Sequence, residues 1–166
     1  MLRVFAAMFF VCASVAHAAP VPEAKLAKAP GDSEVWAIVS AAGEHGRSLR
    51  WTDKDGVRWS RESMNLRGFK TEIDQRIRFA PDGSVALLEV RGRVPQGDAA
   101  EKYEAANGKY SFKSPVDAGA GPARFNLAYS SFGGTLDSTI VLIDALRRSP
   151  EASVDLLPTG RLRMEK

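Results

Sequence analysis

The chain has 166 residues, of which 23 are Lys or Arg and 20 are Asp or Glu, so its formal net charge at pH 7 is +3. Acidic and basic residues alternate, as between Thr71 and Arg78, so the concentrated basic face that binds nucleic acid is not expected. The only cysteine is Cys12; the chain beyond it has no disulfides and needs a hydrophobic core.

The first 18 residues have the three parts of a secretory signal peptide. Arg3 supplies the positive charge, residues 4–15 form an apolar run, and Ala16-His17-Ala18 supplies the small residues at which signal peptidase cleaves. The run is shorter than the roughly 20 apolar residues that span a membrane. The sequence therefore predicts an exported protein, periplasmic or secreted, that is cleaved after Ala18 and keeps no stable membrane anchor.

After the signal peptide, residues 19–33 are expected to form a linker and residues 34–166 a single β-rich domain. Three prolines and few large apolar side chains are typical of a linker. Up to about Tyr129 the apolar residues recur with a period of two, which indicates strands. The first strand is expected near Val35–Ala41.

A hairpin is predicted around the loop Lys54-Asp55-Gly56. A three-residue loop pairs Trp51 with Trp59 on one face of the hairpin and Thr52 with Arg58 on the other. A two-residue loop would mix the two faces, because a slip of one residue reverses every side chain. The last loop position is the left-handed one, which glycine adopts most readily.

Further along the chain, the strand Thr71–Phe79 is expected to place Ile73, Ile77 and Phe79 on one face and charged residues on the other. Pro81-Asp82-Gly83 predicts a turn. Residues 85–94 are apolar on both faces over their first half, which indicates a central strand with a second layer packed over it.

A second hairpin is predicted from Asn107-Gly108, a strong two-residue turn signal. Its register pairs Ala105 with Tyr110 and Tyr103 with Phe112.

One helix is predicted over Leu136–Arg148, with Thr135 as its N-cap and Ser149-Pro150 as its stop. Its expected buried stripe consists of Leu136, Ile140 and Ile143, widened by Leu142 and Leu146. Because the remaining polar strip is narrow, we expect the helix to be deeply buried against the sheet. After it, Arg161–Lys166 alternates like a further strand, with no terminating signal.

These elements predict an α+β fold that is mainly β, an antiparallel meander sheet with one C-terminal helix packed on one face. About six to eight strands are expected. The expected buried core comprises Trp51, Trp59, Ile73, Ile77, Phe79, Leu88, Tyr103, Tyr110 and Phe112.

Few residues carry a recognisable chemistry. His45 is the only histidine after the signal peptide, and Glu44 is its only neighbour of ligand type, so we interpret it as an exposed loop residue rather than a zinc ligand. No cysteine is available as a nucleophile, and a serine triad would lack a suitable histidine and a Gly-x-Ser-x-Gly elbow. The sequence predicts no catalytic, cofactor-binding or metal residue.

Three other candidates have structural explanations. Glu101 and Glu104 lie three apart on a predicted strand, hence on opposite faces, where they cannot act as an acid/base pair. Asp117–Gly121 lacks the strand and helix that flank a phosphate-binding loop, so a flexible connection is expected. Packing across the hairpin accounts for Trp51 and Trp59 without a ligand platform.

A series of short segments resembles a known family. It runs from Arg78–Gly83 and Val90-Arg91-Gly92 through Glu101–Glu104, Asn107-Gly108-Lys109 and Phe112-Lys113-Ser114. It continues with Gly133–Ser138, which opens the helix, and with Ala145–Pro150 and Leu156–Leu162. In this order the segments resemble the β-rich N-terminal region of secreted metal-dependent amidohydrolases of the imidazolonepropionase-like group.

In that family the region precedes a TIM-barrel hydrolase domain with a His-x-His metal motif. No position of this chain matches those ligands, so no catalytic residue is transferred. The resemblance implies an accessory domain, or a truncated copy, that is non-catalytic by itself and whose partner is the hydrolase barrel that would break C–N bonds.

A second interpretation is a free-standing periplasmic binding or carrier module. A curved antiparallel sheet with a helix on one face can enclose an apolar ligand, although this argument is an analogy of fold alone. Intrinsic catalysis is the least supported, because the residues that would carry it are missing.

Overall fold

Residues 19–165 are described by a computed structural model of the chain, and the predicted signal peptide lies outside them. Their largest element is a nine-stranded antiparallel sheet whose strands follow each other in chain order, with the two-residue β6 set beside β5. The strands are β1 (Glu34–Ser40), β2 (Gly43–Thr52), β3 (Arg58–Leu66), β4 (Phe69–Phe79), β5 (Val85–Val94), β6 (Gly97–Asp98), β7 (Glu101–Ala106), β8 (Lys109–Lys113) and β9 (Ala118–Pro122).

A smaller sheet and one helix complete the fold. The helix α1 spans Leu136–Arg148, the predicted bounds. The three strands of the second sheet are β10 (Leu127–Tyr129), β11 (Ser153–Leu157) and β12 (Arg161–Arg163). β12 lies in the segment Arg161–Lys166, whose alternation predicted a strand, whereas β10, β11 and their parallel pairing were not predicted from the sequence. A parallel pair needs a long crossover, and α1 provides it.

The predicted fold class is confirmed, since the main sheet is an antiparallel meander with the helix on one face. Both predicted hairpins have the predicted register. Trp51 pairs with Trp59 around the 54–56 loop, and Ala105 pairs with Tyr110 around Asn107-Gly108. Gly56 has φ +75°, the left-handed conformation that its loop position requires.

The two faces of the main sheet differ sharply. Side chains at alternate positions of β4, β5, β7 and β8 form an apolar cluster beneath α1 and the second sheet. Its buried members are Ile73, Ile77, Leu88, Val90, Val94, Ala99, Tyr103, Phe112, Tyr129, Val141 and Leu157. Ile77 is completely buried. The face toward α1 is called the helix side here, and the opposite face the charged side.

Four residues of the predicted core are only partly buried: Trp51, Trp59, Phe79 and Tyr110. The two tryptophans stack with their ring centroids 6.1 Å apart, but they lie on the charged side, where no second layer covers them. The Arg76 guanidinium lies 5.9 Å from the Trp59 ring centroid. The pattern of polar and apolar residues correctly predicted which side chains of the hairpin share a face, but it did not identify the face that the helix covers.

Part of the predicted linker lies on the charged side. Leu26 is buried, and the Ala27 amide donates a hydrogen bond of 2.6 Å to the Asp74 carboxylate. Arg91 donates to the same carboxylate from Nε at 2.9 Å. Asp74, expected on an exposed face, is therefore almost completely buried.

The orientation of α1 corrects the sequence analysis. Leu136 and Ile143, two members of the predicted buried stripe, are 44% and 41% exposed, and Ile140 is partly exposed. The side chains that point to the main sheet are Asp137, Ser138 and Val141. Leu142 and Leu146 pack instead toward the second sheet.

The glycine-rich segment Asp117–Gly121 also departs from prediction, because residues 118–122 form β9 and not a flexible connection. Gly119 lies under the Phe112 ring, where a Cβ would come within 2.6 Å of a ring carbon. The glycines therefore allow the edge strand to approach an aromatic side chain of its neighbour.

Replacing Ile77 with alanine is expected to lower the free energy of unfolding by about 2–5 kcal/mol, because it leaves a cavity under the helix. Ile143→Ala is the matched control and should cost clearly less, since that side chain is partly in water. Urea unfolding measures both. A loss below about 1 kcal/mol for Ile77→Ala, typical of surface sites, would contradict this orientation of the sheet.

Candidate functional site

The first turn of α1 is attached to the sheet through polar side chains. The Gln75 side-chain oxygen accepts hydrogen bonds from the Thr135 amide, at 3.2 Å, and from the Ser138 hydroxyl. The Thr135 hydroxyl bonds to the Ser60 hydroxyl at 2.7 Å and does not cap the helix itself. The predicted N-cap position is correct, but the sheet supplies the capping oxygens.

Glu62 on β3 supplies the second capping oxygen. Its carboxylate accepts a hydrogen bond of 3.0 Å from the Leu136 amide, one of the helix N–H groups without a partner inside the helix. Burial raises the pKa of Glu62, and the hydrogen bonds from Leu136 and Ser48 oppose that rise only in part. A negative charge also interacts favourably with the N-terminal end of the helix dipole.

Asp137 extends these contacts toward β2 and β3. Its Oδ1 accepts from Arg58, and from Arg50 at 3.3 Å. Arg50 also binds Glu34 of β1 through Nε at 2.9 Å. Although burial opposes the charge, these two carboxylates raise the pKa of Arg50. The chain of ion pairs therefore connects the edge strand to the helix.

Three buried polar atoms around this turn have no hydrogen-bond partner: Arg58 Nε, Gln75 Nε2 and Asp137 Oδ2. The three residues present one carboxylate, one amide and one guanidinium, which is not a set of metal ligands. Within residues 19–165 no three His, Cys, Asp or Glu side chains are grouped so that they could hold a metal ion.

A second buried carboxylate, Glu101, holds the loop before the helix. It accepts hydrogen bonds from the Tyr129 hydroxyl at 2.7 Å and the Phe132 amide at 3.0 Å, and from the Gly133 amide. Burial and this carboxylate both raise the pKa of Tyr129. These contacts attach β10 and the loop that follows it to β7.

The residues that the sequence analysis considered and set aside, Glu101, Glu104 and His45, are not brought together. Glu104 is exposed on β7, on the face opposite Glu101, as its spacing predicts. His45 is in β2 and not in a loop; it is half-buried, and its Nε2 lies 2.6 Å from the Ser40 hydroxyl.

The outward side of α1 forms an apolar surface that the sequence analysis assigned to the core. We call Leu136, Ile140 and Ile143 the α1 stripe. A shallow groove lies between this stripe and β1, lined by Trp36, Leu136 and Ile140, with Arg50 and Asp137 among its polar residues. Trp36 is 43% exposed, and the Arg50 guanidinium lies 5.8 Å from its ring centroid.

Between the main sheet, α1 and β10, the described residues enclose a small cavity. Its volume is about 30 Å³, and its lining includes Val85, Tyr103, Tyr129, Val141 and Leu142. Pockets that hold small molecules usually measure about 300–1,000 Å³, whereas this volume suits a water molecule.

Comparison of the chain with protein-family models, with curated proteins and with solved structures finds no match. Within residues 19–165, no helix is long and apolar enough to cross a bilayer.

The buried Glu62 predicts a pH-dependent stability. Because its folded-state pKa is raised, its favourable contribution is complete below the unfolded pKa of about 4.3 and is lost as the pH rises through the folded pKa. Glu62→Gln keeps an oxygen acceptor but cannot ionise. Its unfolding free energy, relative to the unmodified protein, should therefore increase from acidic to neutral pH.

Urea unfolding at several pH values measures this difference. Glu62→Ala is the control; it removes the acceptor for the Leu136 amide and should cost about 0.5–2 kcal/mol, as lost helix caps do. A Glu62→Gln difference that does not vary with pH would show that the carboxyl titrates normally.

Proposed function

We propose that this chain is an exported accessory β domain that acts by docking onto a partner domain through the α1 stripe and is not catalytic by itself. The proposed partner is a metal-dependent amidohydrolase barrel, because the order of segments from Arg78 to Leu162 resembles the region that precedes such barrels. In this proposal hydrolysis of a C–N bond belongs to the partner.

The observation that carries the proposal is the orientation of α1. The helix presents Leu136, Ile140 and Ile143 at spacings of four and three residues, which is how a helix aligns apolar side chains for a groove or a second layer. Yet its polar residues Asp137 and Ser138 point to the sheet, and the stripe is left partly in water. Clustered exposed apolar side chains of this kind are typical of interaction surfaces.

The buried polar groups also support a non-catalytic domain. Gln75 and Glu62 hold the first turn of α1, Asp137 pairs with two arginines, and Glu101 holds the preceding loop. Each of these side chains makes a structural contact, and the one carboxylate oxygen among them without a partner, Asp137 Oδ2, is buried away from solvent. A general base or nucleophile would need a lone pair directed at a space where substrate could bind.

The carrier interpretation has less support. It requires an apolar cavity between sheet and helix, and that layer is occupied by the side chains of the core. The cavity of about 30 Å³ that remains there is far smaller than an acyl chain. A carrier would have to move α1 away from the sheet and break the bonds to Gln75 and Glu62.

The double variant Leu136→Glu/Ile143→Glu tests the docking surface. Both side chains already contact water, so the variant should fold and keep its unfolding free energy within about 1 kcal/mol, as surface changes do. Val141→Glu is the matched control; it puts a charge in the core and should prevent folding. Strong destabilisation by the double variant would show that the stripe belongs to the core.

The partner is tested by sequencing past the end of this chain's coding region and by co-purification with the barrel encoded there. Association that the double variant abolishes supports the proposal. Absence of any adjoining barrel, or association that the double variant leaves intact, contradicts it. Stoichiometric zinc in the isolated chain, together with amide hydrolysis that His45→Ala abolishes, would make the chain an enzyme in its own right.

A further inference from the structure

The edge strand β1 is exposed along almost its whole length. It pairs with β2 on one side only, and Ile38 is its only residue that is not classed as exposed. Five consecutive residues, Val35 to Val39, are apolar. Val35 is 55% exposed and Val39 is 67% exposed. An uncovered apolar edge is a template for pairing with another strand.

β1 has few of the features that usually prevent such pairing. Natural edge strands are protected by proline, by lysine, by bulges or by being very short. β1 has seven residues with neither proline nor lysine, and the extra residue of the β1–β2 pair, His45, is in β2. The opposite edge differs, because β9 contains only Ala and Gly before it ends at Pro122.

We propose that β1 pairs antiparallel with β1 of a second copy of this chain, across a two-fold axis that is perpendicular to the sheet and passes midway between the two copies of Ala37. In this register Val35 faces the second copy's Val39, Trp36 faces its Ile38, and Ala37 faces its own counterpart. The interface is self-complementary, as a two-fold axis requires. It continues the antiparallel sheet from one copy into the other.

The side chains select this register. Trp36 and Ile38 are on the helix side, opposite Ser48 and Gly46 of β2, while Val35, Ala37 and Val39 are on the charged side. A two-fold axis perpendicular to the sheet keeps the helix sides of both copies on the same face of the joined sheet. Facing residues must then lie on the same face, which requires that one residue of β1 faces its own counterpart. A centre at Trp36 would place Glu34 opposite Ile38; the centre at Ala37 pairs all five apolar residues with one another.

Charge agrees with the same register. Glu34, the only charged residue of β1, faces the second copy's Ser40, so that like charges do not meet. Its carboxylate is also neutralised within its own copy by Arg50, at 2.9 Å from Nε. Aromatic and β-branched side chains pair well across strands, and the apolar run of β1 supplies one aromatic residue and three β-branched residues to such a pairing.

This pairing goes beyond the proposed docking of a hydrolase domain. The two-fold axis places α1 of both copies on the same side of the joined sheet, so each copy would carry its own α1 stripe. The β1 edge and the α1 stripe use different residues, Val35 to Val39 and Leu136, Ile140 and Ile143. Variants can therefore separate the two surfaces.

The test is the mass of the purified protein by sedimentation equilibrium, from low to high micromolar concentration. The unmodified protein is expected to dimerise. Ala37→Lys should abolish the dimer, because two ammonium groups would face each other across the axis. Ala120→Lys is the matched control, the same substitution at an exposed alanine of the other edge strand, and should remain dimeric.

A disulfide tests the register. In a Cys12→Ala background, Ala37→Cys should form an intermolecular disulfide with itself under mild oxidation, because the two Cβ atoms would be directly opposite. Ser40→Cys should not, since its counterpart is Glu34. Circular dichroism verifies that each variant is folded, and Val39→Lys replaces Ala37→Lys if that variant does not fold.

The proposal is overturned by a monomer at all concentrations, by a dimer that both lysine variants of β1 leave intact, or by crosslinking of Ser40→Cys in place of Ala37→Cys. Leu136→Glu/Ile143→Glu should remain dimeric. A dimer that depends on the α1 stripe and not on Ala37 would also overturn it, because the second copy would then occupy the docking surface.

Discussion

The hydrogen bonds between the first turn of α1 and the sheet determine how the rest of the surface is arranged. Gln75 and Glu62 accept from the Thr135 and Leu136 amides, and Asp137 binds two arginines of β2 and β3. These contacts fix both the position of the helix and its rotation about its own axis. Once Asp137 and Ser138 point to the sheet, Leu136 and Ile143 must point away from it.

The fold tolerates the burial of so many polar groups only because nearly all of them have a hydrogen-bond or ion-pair partner. A buried acceptor or donor without a partner costs about 1–3 kcal/mol, and a buried lone charge costs more. The loop before the helix shows how tightly the groups fit, since a Cβ at Gly134 would overlap the hydroxyls of Ser131 and Ser138. The network therefore defines one orientation of α1 and disfavours a rotated helix that would leave these groups unpaired.

Local signals in the sequence predicted the elements well, and the failures come from contacts between distant residues. Asn107-Gly108 and Gly56 predicted their turns, and through them the strand registers, because turn conformation depends on neighbouring residues alone. Helix periodicity found the bounds of α1 but assigned Leu136, Ile140 and Ile143 to the sheet, since it treats every polar residue as outward. Asp137 points inward only because Arg58 and Arg50, far away in sequence, neutralise it.

The sizes of the helix and the sheet determine which strands α1 can cover, and hydrophobic periodicity does not reveal this. Eight strands side by side, about 4.8 Å apart, span roughly 34 Å, whereas a helix of 13 residues is about 20 Å long and about 10 Å wide. The second sheet extends the cover over β7 and β8, where the Tyr129 ring packs against the rings of Tyr103 and Phe112. β1 is left beyond the cover. The stacked Trp51 and Trp59 are only half-buried for a related reason, because they lie on the face without a helix.

The apolar residues on the surface of α1 are therefore exposed because polar side chains of the same helix occupy the positions that face the sheet. Burying a Leu or Ile side chain fully would stabilise the fold by about 1.5–3 kcal/mol, and the chain realises only part of that contribution at Leu136 and Ile143. It uses instead an ionic and amide network, which contributes little net stability but specifies one orientation. A sequence whose local pattern disagrees with its fold usually does so where the surface has another role. Here that disagreement falls on one side of α1, next to an edge strand that lacks the usual protection.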